Sequence, residues 1–299
     1  METWIYFTLL AAFMQAIRTA GQKHLSGQLN AMATTGVRYL FALHFAWFYA
    51  WWLLDYKEIQ VPSLTPSFLQ YALVACVMQI LGTACLVAAF RYRNFAVATS
   101  LAKTEAIMVA VVGALLFSIS LSAIGWLSVV IGVVGVLLVS KVKFRIKDFI
   151  GDSESLIGLG YGLAAGLGLA ITTLLIRESS LALNTNLMVS AAITLVFMVS
   201  VQSLISIFYI YIQDRSQFSL MFKHWKVCLF VGMTSLFGSI GWFTGASYQN
   251  AAYVKALGQV EFFVTLVLTY RIFKETITLK EYIGMFLIVF SVTILLLFA

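Results

Sequence analysis

Tyr92–Glu105 reads YRNFAVATSLAKTE, and Tyr248–Glu261 reads YQNAAYVKALGQVE. The second stretch repeats the first at a constant offset of 156 residues: Tyr92 pairs with Tyr248, Asn94 with Asn250, Ala96 with Ala252, Leu101 with Leu257 and Glu105 with Glu261. Each Glu falls inside an apolar run long enough to cross a bilayer. A carboxylate at that depth costs about 3 kcal/mol on insertion scales, so its retention points to function. Writing the run and its carboxylate twice implies a chain of two related halves with a site between them.

The correspondence extends outward from this motif. At the same offset Gly82 matches Gly238, Phe117 matches Phe273 and Trp126 answers to Tyr282. Nearer the start of each half the offset reads as 154, pairing Lys23 with Arg177 and Asn30 with Asn184. The polar segment Lys141–Ser155 is the natural seam. It divides the chain into a first five-helix repeat over 1–145 and a second over 146–299. Five is odd, so the second half enters the bilayer upside down relative to the first, as an inverted repeat.

Composition excludes a soluble domain. Of 299 residues 62% are hydrophobic and 10% charged, with mean hydropathy +0.96, whereas soluble chains carry roughly 25% charged residues. A spanning helix needs about 20 mostly apolar residues. Ten runs meet that need, over 4–22, 34–54, 70–90, 95–117, 122–140, 157–176, 186–212, 226–246, 251–273 and 279–298. They are apolar all round, without the alternation of a transmembrane β-strand. The expected fold is therefore all-α integral membrane, with ten transmembrane helices. The opening METWIYF lacks a basic region, so the first run is expected to stay as a span rather than be cleaved. Cys76 and Cys85 would lie about 13 Å apart along one helix, too far to bridge. With Cys228, His24, His44 and His224 scattered, neither a disulfide framework nor a metal centre is expected.

The formal charge of +7 is a matter of topology. Thirteen Lys and Arg residues fall in alternate loops, the densest being Lys141, Lys143, Arg145 and Lys147, against Lys57 and Arg177 in the others. The positive-inside rule then places the basic loops in the cytoplasm and both termini outside. Arg18 and Arg38, near the ends of spans 1 and 2, lean the same way. No nucleic-acid partner is implied.

Four charges lie well inside spans 4 and 9: Lys103, Glu105, Lys255 and Glu261. Each Glu is about 15 Å from the start of its run, near the midplane of a hydrocarbon core about 30 Å thick. Thr99 and Lys103 share a helical face, as do Lys255 and Gln259, and the offset of 156 maps one pair onto the other. On regular helices each Glu sits roughly opposite these faces. Uncharged polar stripes run through neighbouring spans: Gln15, Thr19 and Gln22 in span 1, Gln79 and Thr83 in span 3, Ser235, Ser239 and Trp242 in span 8. Trp242 is the aromatic candidate for an ammonium ligand. A bundle held by buried Lys–Glu pairs and interhelical hydrogen bonds would use the same residues, and the sequence leaves that alternative open. Gly158, Gly162 and Gly166, and Gly241 and Gly245, place small residues on single helix faces, for close packing or for sliding. Trp47, Trp51, Trp52, Tyr49 and Tyr56 read as an interfacial belt.

The candidate substrate-binding set is thus Gln15, Gln79, Lys103, Glu105, Ser239, Trp242, Lys255, Gln259 and Glu261. Balanced Lys and Glu suit a small zwitterionic or amine-bearing metabolite. A phosphate-binding loop is lacking, so ATP-driven transport is not expected, and no cofactor is called for. Nor is there a nucleophile–base pair for an enzyme, His44 reading as a lone core histidine. A passive facilitator or exchanger remains the alternative to proton-coupled transport.

The duplicated unit resembles the drug/metabolite transporter superfamily, specifically its ten-helix EamA-type transporters. The best local match is Phe273–Ile277 followed by Glu281–Gly284, Leu287 and Ile288, which resembles the family's Glu…Gly…Leu-Ile signature. Glu105 and Glu261 look like the Glu of the family's Glu-Pro pair, with Ala106 and Phe262 standing where the Pro would be and Ile119 where the first half would carry a loop Glu. The resemblance implies a multi-pass protein of a bacterial-type inner membrane. Its partners would be a small-molecule substrate and the lipid bilayer; with ATP-driven transport not expected, protons are the default energy source, with Glu105 or Glu261 as carrier.

Overall fold

In hydrocarbon a spanning segment must satisfy its own backbone, and the helix does so within a single run. The computed structural model describes residues 2–92, 102, 104–118, 121–139, 153–264 and 278–298, and no strand occurs among them. The helices are α1 (Thr3–Ser26), α2 (Ala31–Leu40), α3 (Leu43–Lys57), α4 (Pro66–Tyr92), α5 (Glu105–Leu116), α6 (Ala123–Val139), α7 (Ser153–Ala182), α8 (Leu187–Gln213), α9 (Ser216–Lys223), α10 (Trp225–Tyr248), α11 (Ala251–Gly258) and α12 (Leu279–Phe298). Four stretches are long and apolar enough to cross a membrane: 66–89, 157–182, 187–213 and 225–248. α1 has 24 residues but carries a polar stripe that lowers its hydropathy. Spans 4 and 9 lie partly outside the described residues.

Asparagines start three helices. Asn30 Oδ1 accepts from Ala33 N at 2.7 Å, Asn186 from Met188 N at 3.0 Å and Asn250 from Ala252 N at 3.0 Å, each satisfying an orphan amide of the first turn. The residue that does for α8 what Asn30 does for α2 is Asn186. Asn184 is instead a turn residue at φ 48°. By this role the offset remains 156, so the pairing of Asn30 with Asn184 is corrected. Asn94 lies outside the described residues.

Two expected continuous spans are interrupted. Span 2 breaks at Phe41–Ala42, where Ala42 N bonds Tyr39 O in a tightened i→i−3 turn. Gly232 of α10 abuts the Phe41 backbone there, leaving no room for a Cβ. Span 9 breaks at Gln259–Val260: Gln259, Val260, Phe262 and Phe263 each bond the carbonyl three residues back, at 3.2, 3.1, 3.0 and 2.9 Å. The helix resumes at Glu261. In the first half α5 likewise starts at Glu105, after a turn at Thr104. No proline is needed for either break.

Three helix pairs dominate the packing: α4 with α7, α1 with α10, and α6 with α12. Small residues allow the close approach. A Cβ on Gly241 would strike the Phe7 carbonyl; Gly168 and Gly82 face each other across α7 and α4; Gly135 lies against Gly284 and Ile288. In α6 and α12, Ser128 Oγ donates to Ser291 O at 2.8 Å and Ser291 Oγ donates to Ser128 O at 2.7 Å. If span n corresponds to span n+5, then α1–α10 and α7–α4 exchange, while α6–α12 maps onto itself.

Candidate functional site

Between these pairs lies a cavity of about 160 Å³, far more than the roughly 10–15 Å³ that admits one water. Its polar lining comes from α1 (Gln15, Arg18, Thr19, Gln22), Arg38 of α2, Gln79 and Thr83 of α4, Glu105, Thr172 and Thr173 of α7, Ser239 and Trp242 of α10, Lys255 of α11 and Glu261. The four α1 residues fall at i, i+3, i+4 and i+7, which is one helical face.

One chain of polar contacts, with a cation–π step at Trp242, joins the two repeated carboxylates. Lys255 Nζ lies 2.7 Å from Glu105 Oε1 and 4.0 Å from the centre of the Trp242 ring. Trp242 Nε1 donates to Gln15 Oε1 at 2.8 Å, and Gln15 Nε2 donates to Glu261 Oε2 at 2.9 Å. The Thr173 hydroxyl lies 3.2 Å from Glu105 Oε1 and 2.9 Å from Leu169 O. Glu105 and Glu261 are 6% and 5% exposed, so the network is sealed from bulk solvent except through the cavity.

A second cluster lines the same cavity. Arg38 Nη1 donates to Thr83 Oγ1 at 2.8 Å, and its guanidinium stands 5.1 Å from the Tyr39 ring centre. Arg18 and Gln22 are buried, and Arg18 Nε and Gln22 Nε2 have no hydrogen-bond partner among the described residues. Next to this cluster, Gln202 Nε2 of α8 donates to Gln79 Oε1 at 2.8 Å.

Seven sequence candidates come together here: Gln15, Gln79, Glu105, Ser239, Trp242, Lys255 and Glu261. Lys103 lies outside the described residues. Gln259 does not reach the main cavity. It lines a smaller adjoining space and presses on Gly132 of α6 beside Ser291 of α12, its amide atoms unpartnered. The break at 259–260 accounts for this and for a second correction. On a regular helix, six residues at about 100° each would put Lys255 and Glu261 some 120° apart. Each residue in an i→i−3 turn advances about 20° more, which narrows the gap and brings both into one cavity. Lys255 occupies one face of the Trp242 ring, which also lines the cavity. His44 is exposed rather than core.

Sequence reasoning missed Arg18 and Arg38 as site residues, having placed them at membrane ends. The signal was present for Arg18, which shares the helical face of Gln15 and Gln22. For Arg38 it was weaker: the residue sits in a stretch read as one continuous span, and the break at Phe41 was not foreseen.

The family model described as the EamA-like transporter family matches residues 2–141 and 156–297. Among solved structures, a crystal structure described only as that of a protein superposes with a TM-score of 0.75, covering 98% of this chain and 99% of that chain at 12% identity. At that identity the likeness shows a shared fold. No curated protein matches the sequence. Two matched segments spanning almost the whole chain, on a helical framework of membrane length, establish that the protein belongs to the EamA-like transporter family of the drug/metabolite transporter superfamily.

Proposed function

We propose that the protein is a secondary active transporter of a small zwitterionic or amine-bearing metabolite, working by alternating access and driven by protons across a bacterial-type inner membrane. The observation that carries this is the continuous network Glu105–Lys255–Trp242–Gln15–Glu261 inside a buried cavity. It links the repeated carboxylate of one half to that of the other, so a change of protonation at one end alters contacts made by both halves. Helices α1, α5, α10 and α11 meet in it with the segment that resumes at Glu261. In an inverted repeat such a junction lies at the pseudo-symmetry axis, where rocking of one half on the other exposes a central site to each side in turn.

Glu261 is the proposed proton carrier and Glu105 the ion-pair partner of Lys255. Glu261→Gln keeps shape and polarity but does not titrate. A substrate is first identified by thermal stabilisation of the purified protein, since a ligand of the folded state raises its melting point. In proteoliposomes, Glu261→Gln should then abolish accumulation driven by an imposed pH gradient while sparing exchange of labelled for unlabelled substrate. A stable Glu261→Gln protein whose uptake keeps the wild-type pH dependence would overturn the assignment.

A further inference from the structure

We propose that Arg18, Arg38 and Gln22 form an oxyanion subsite, which receives a carboxylate or phosphate group of the transported molecule. The proposal deepens the transporter reading and rests on it, since it assigns one end of the substrate within the same cavity.

Three observations converge. Arg18, Arg38 and Gln22 are 7%, 5% and 2% exposed, yet all three line the cavity. Among the described residues no carboxylate lies within ion-pair distance of either guanidinium; the cavity pair belongs to Lys255 and Glu105. Arg18 Nε and Gln22 Nε2, both donors, find no acceptor among the described residues. A buried donor left unmade is costly, and Arg18 and Arg38 bring two like charges into one cavity. A structural role would favour pairing or replacement of such groups. Intramembrane charges that face a cavity mark substrate paths.

The chemistry of the donors names the ligand class. A guanidinium offers a planar fork of N–H groups that matches the oxygens of carboxylate or phosphate. Arg38 is held for this by its bond to Thr83 and its stacking on Tyr39, so little order is lost when an anion arrives. Charge points the same way. The described cavity residues carry three cations (Arg18, Arg38, Lys255) against two carboxylates (Glu105, Glu261), so an oxyanion enters a cation-rich lining. A zwitterion would lie with its oxyanion on the arginines and its amine toward Glu261, which lines the same cavity.

The test uses the purified full-length protein in nanodiscs, with sodium acetate, inorganic phosphate and ethylammonium chloride as separate probes at matched ionic strength. Acetate or phosphate should raise the melting temperature, and which of the two does so separates a carboxylate from a phosphate ligand. In Arg18→Gln and Arg38→Gln the anion shift should vanish, while the ligand-free Arg18→Gln protein melts at or above the wild-type temperature, because a buried cation with an unmet donor is gone. An anion shift that survives both substitutions, or no anion shift in the wild type, overturns the subsite. So does a ligand-free Arg18→Gln protein that melts well below wild type, since that marks the guanidinium as structural. Stabilisation by ethylammonium alone would remove the subsite and leave the transporter reading standing. Failure of the Glu261→Gln coupling test would remove the proton-carrier role of Glu261 and leave the subsite standing.

Discussion

Lys255 and Glu105 offer a direct measurement of what holds the centre together. They meet at 2.7 Å with side chains 11% and 7% exposed, so screening by solvent is slight. Removing one partner strands the other charge in a low-dielectric site, at a cost of about 3–5 kcal/mol. Lys255→Met also gives up the contact over the Trp242 ring, about 0.5–2 kcal/mol; it therefore costs more than Glu105→Gln. The double variant strands neither charge of this pair and loses only its small net value, so it should recover to within about 1–2 kcal/mol of wild type. The coupling energy of the cycle is then about 3 kcal/mol or more, far above the few tenths expected of independent sites. Reversible unfolding of the four proteins in mixed micelles, followed by circular dichroism, reads these differences. Additive losses in the double variant would refute the account, because they would mean that each residue is held by something other than its partner.

Three further outcomes follow from the packing and the loops. Gly241→Ala forces a methyl group onto the Phe7 carbonyl and should cost about 1–3 kcal/mol, whereas Gly160→Ala meets nothing within 4 Å and should gain about 0.5–1 kcal/mol; parallel melting curves compare them. Arg177 Nη1 donates to Ala246 O at 2.7 Å and Gln249 O at 2.5 Å, closing the end of α10 against α7; Arg177→Gln should lose about 1–3 kcal/mol and speed amide exchange in the last turn of α10, and unchanged exchange there would contradict the clasp. The bonds that Ser216 and then Gln217 donate to Asp214 hold its carboxyl below the ordinary 3.8; an acid so depressed adds order above that value and loses it as pH falls through the lower one. Because Gln217 Oε1 also accepts from Asn30 N at 3.0 Å, exchange at Ser216 and Asn30 should rise together in acid below about pH 4. Their failure to rise together would dissociate the two loops.

The long apolar runs were legible because length and hydropathy alone decide them: α4, α7, α8, α10 and α12 fall within a few residues of the expected spans. The breaks were not. Neither Phe41–Ala42 nor Gln259–Val260 contains glycine or proline, and the first lies where Gly232 presses on the Phe41 backbone while the second follows Gly258, which lies against the Trp242 ring. Both contacts come from α10, distant in sequence. The same limit explains Gln259, whose helical phase with Lys255 holds on an unbroken helix and fails on this one. The short helix α9 passed as loop because eight residues give too little period to read. Gln15, Gln79 and Ser239 were found because uncharged polar groups in apolar runs avoid lipid. Arg18 and Arg38 were lost because a cation near a span end fits topology as well as it fits a cavity.

The indole of Trp242 has a use beyond holding Lys255. It is the one tryptophan of seven that lines the cavity, and its emission depends on the ammonium 4.0 Å above the ring and on the acceptor at its Nε1. Those two neighbours sit on α11 and α1, so any shear of either helix against α10 changes the electric field across the ring. With the other six replaced by phenylalanine, the chain becomes its own optical gauge. Each turn of its working cycle could then be followed in time as a change of colour, with no label attached.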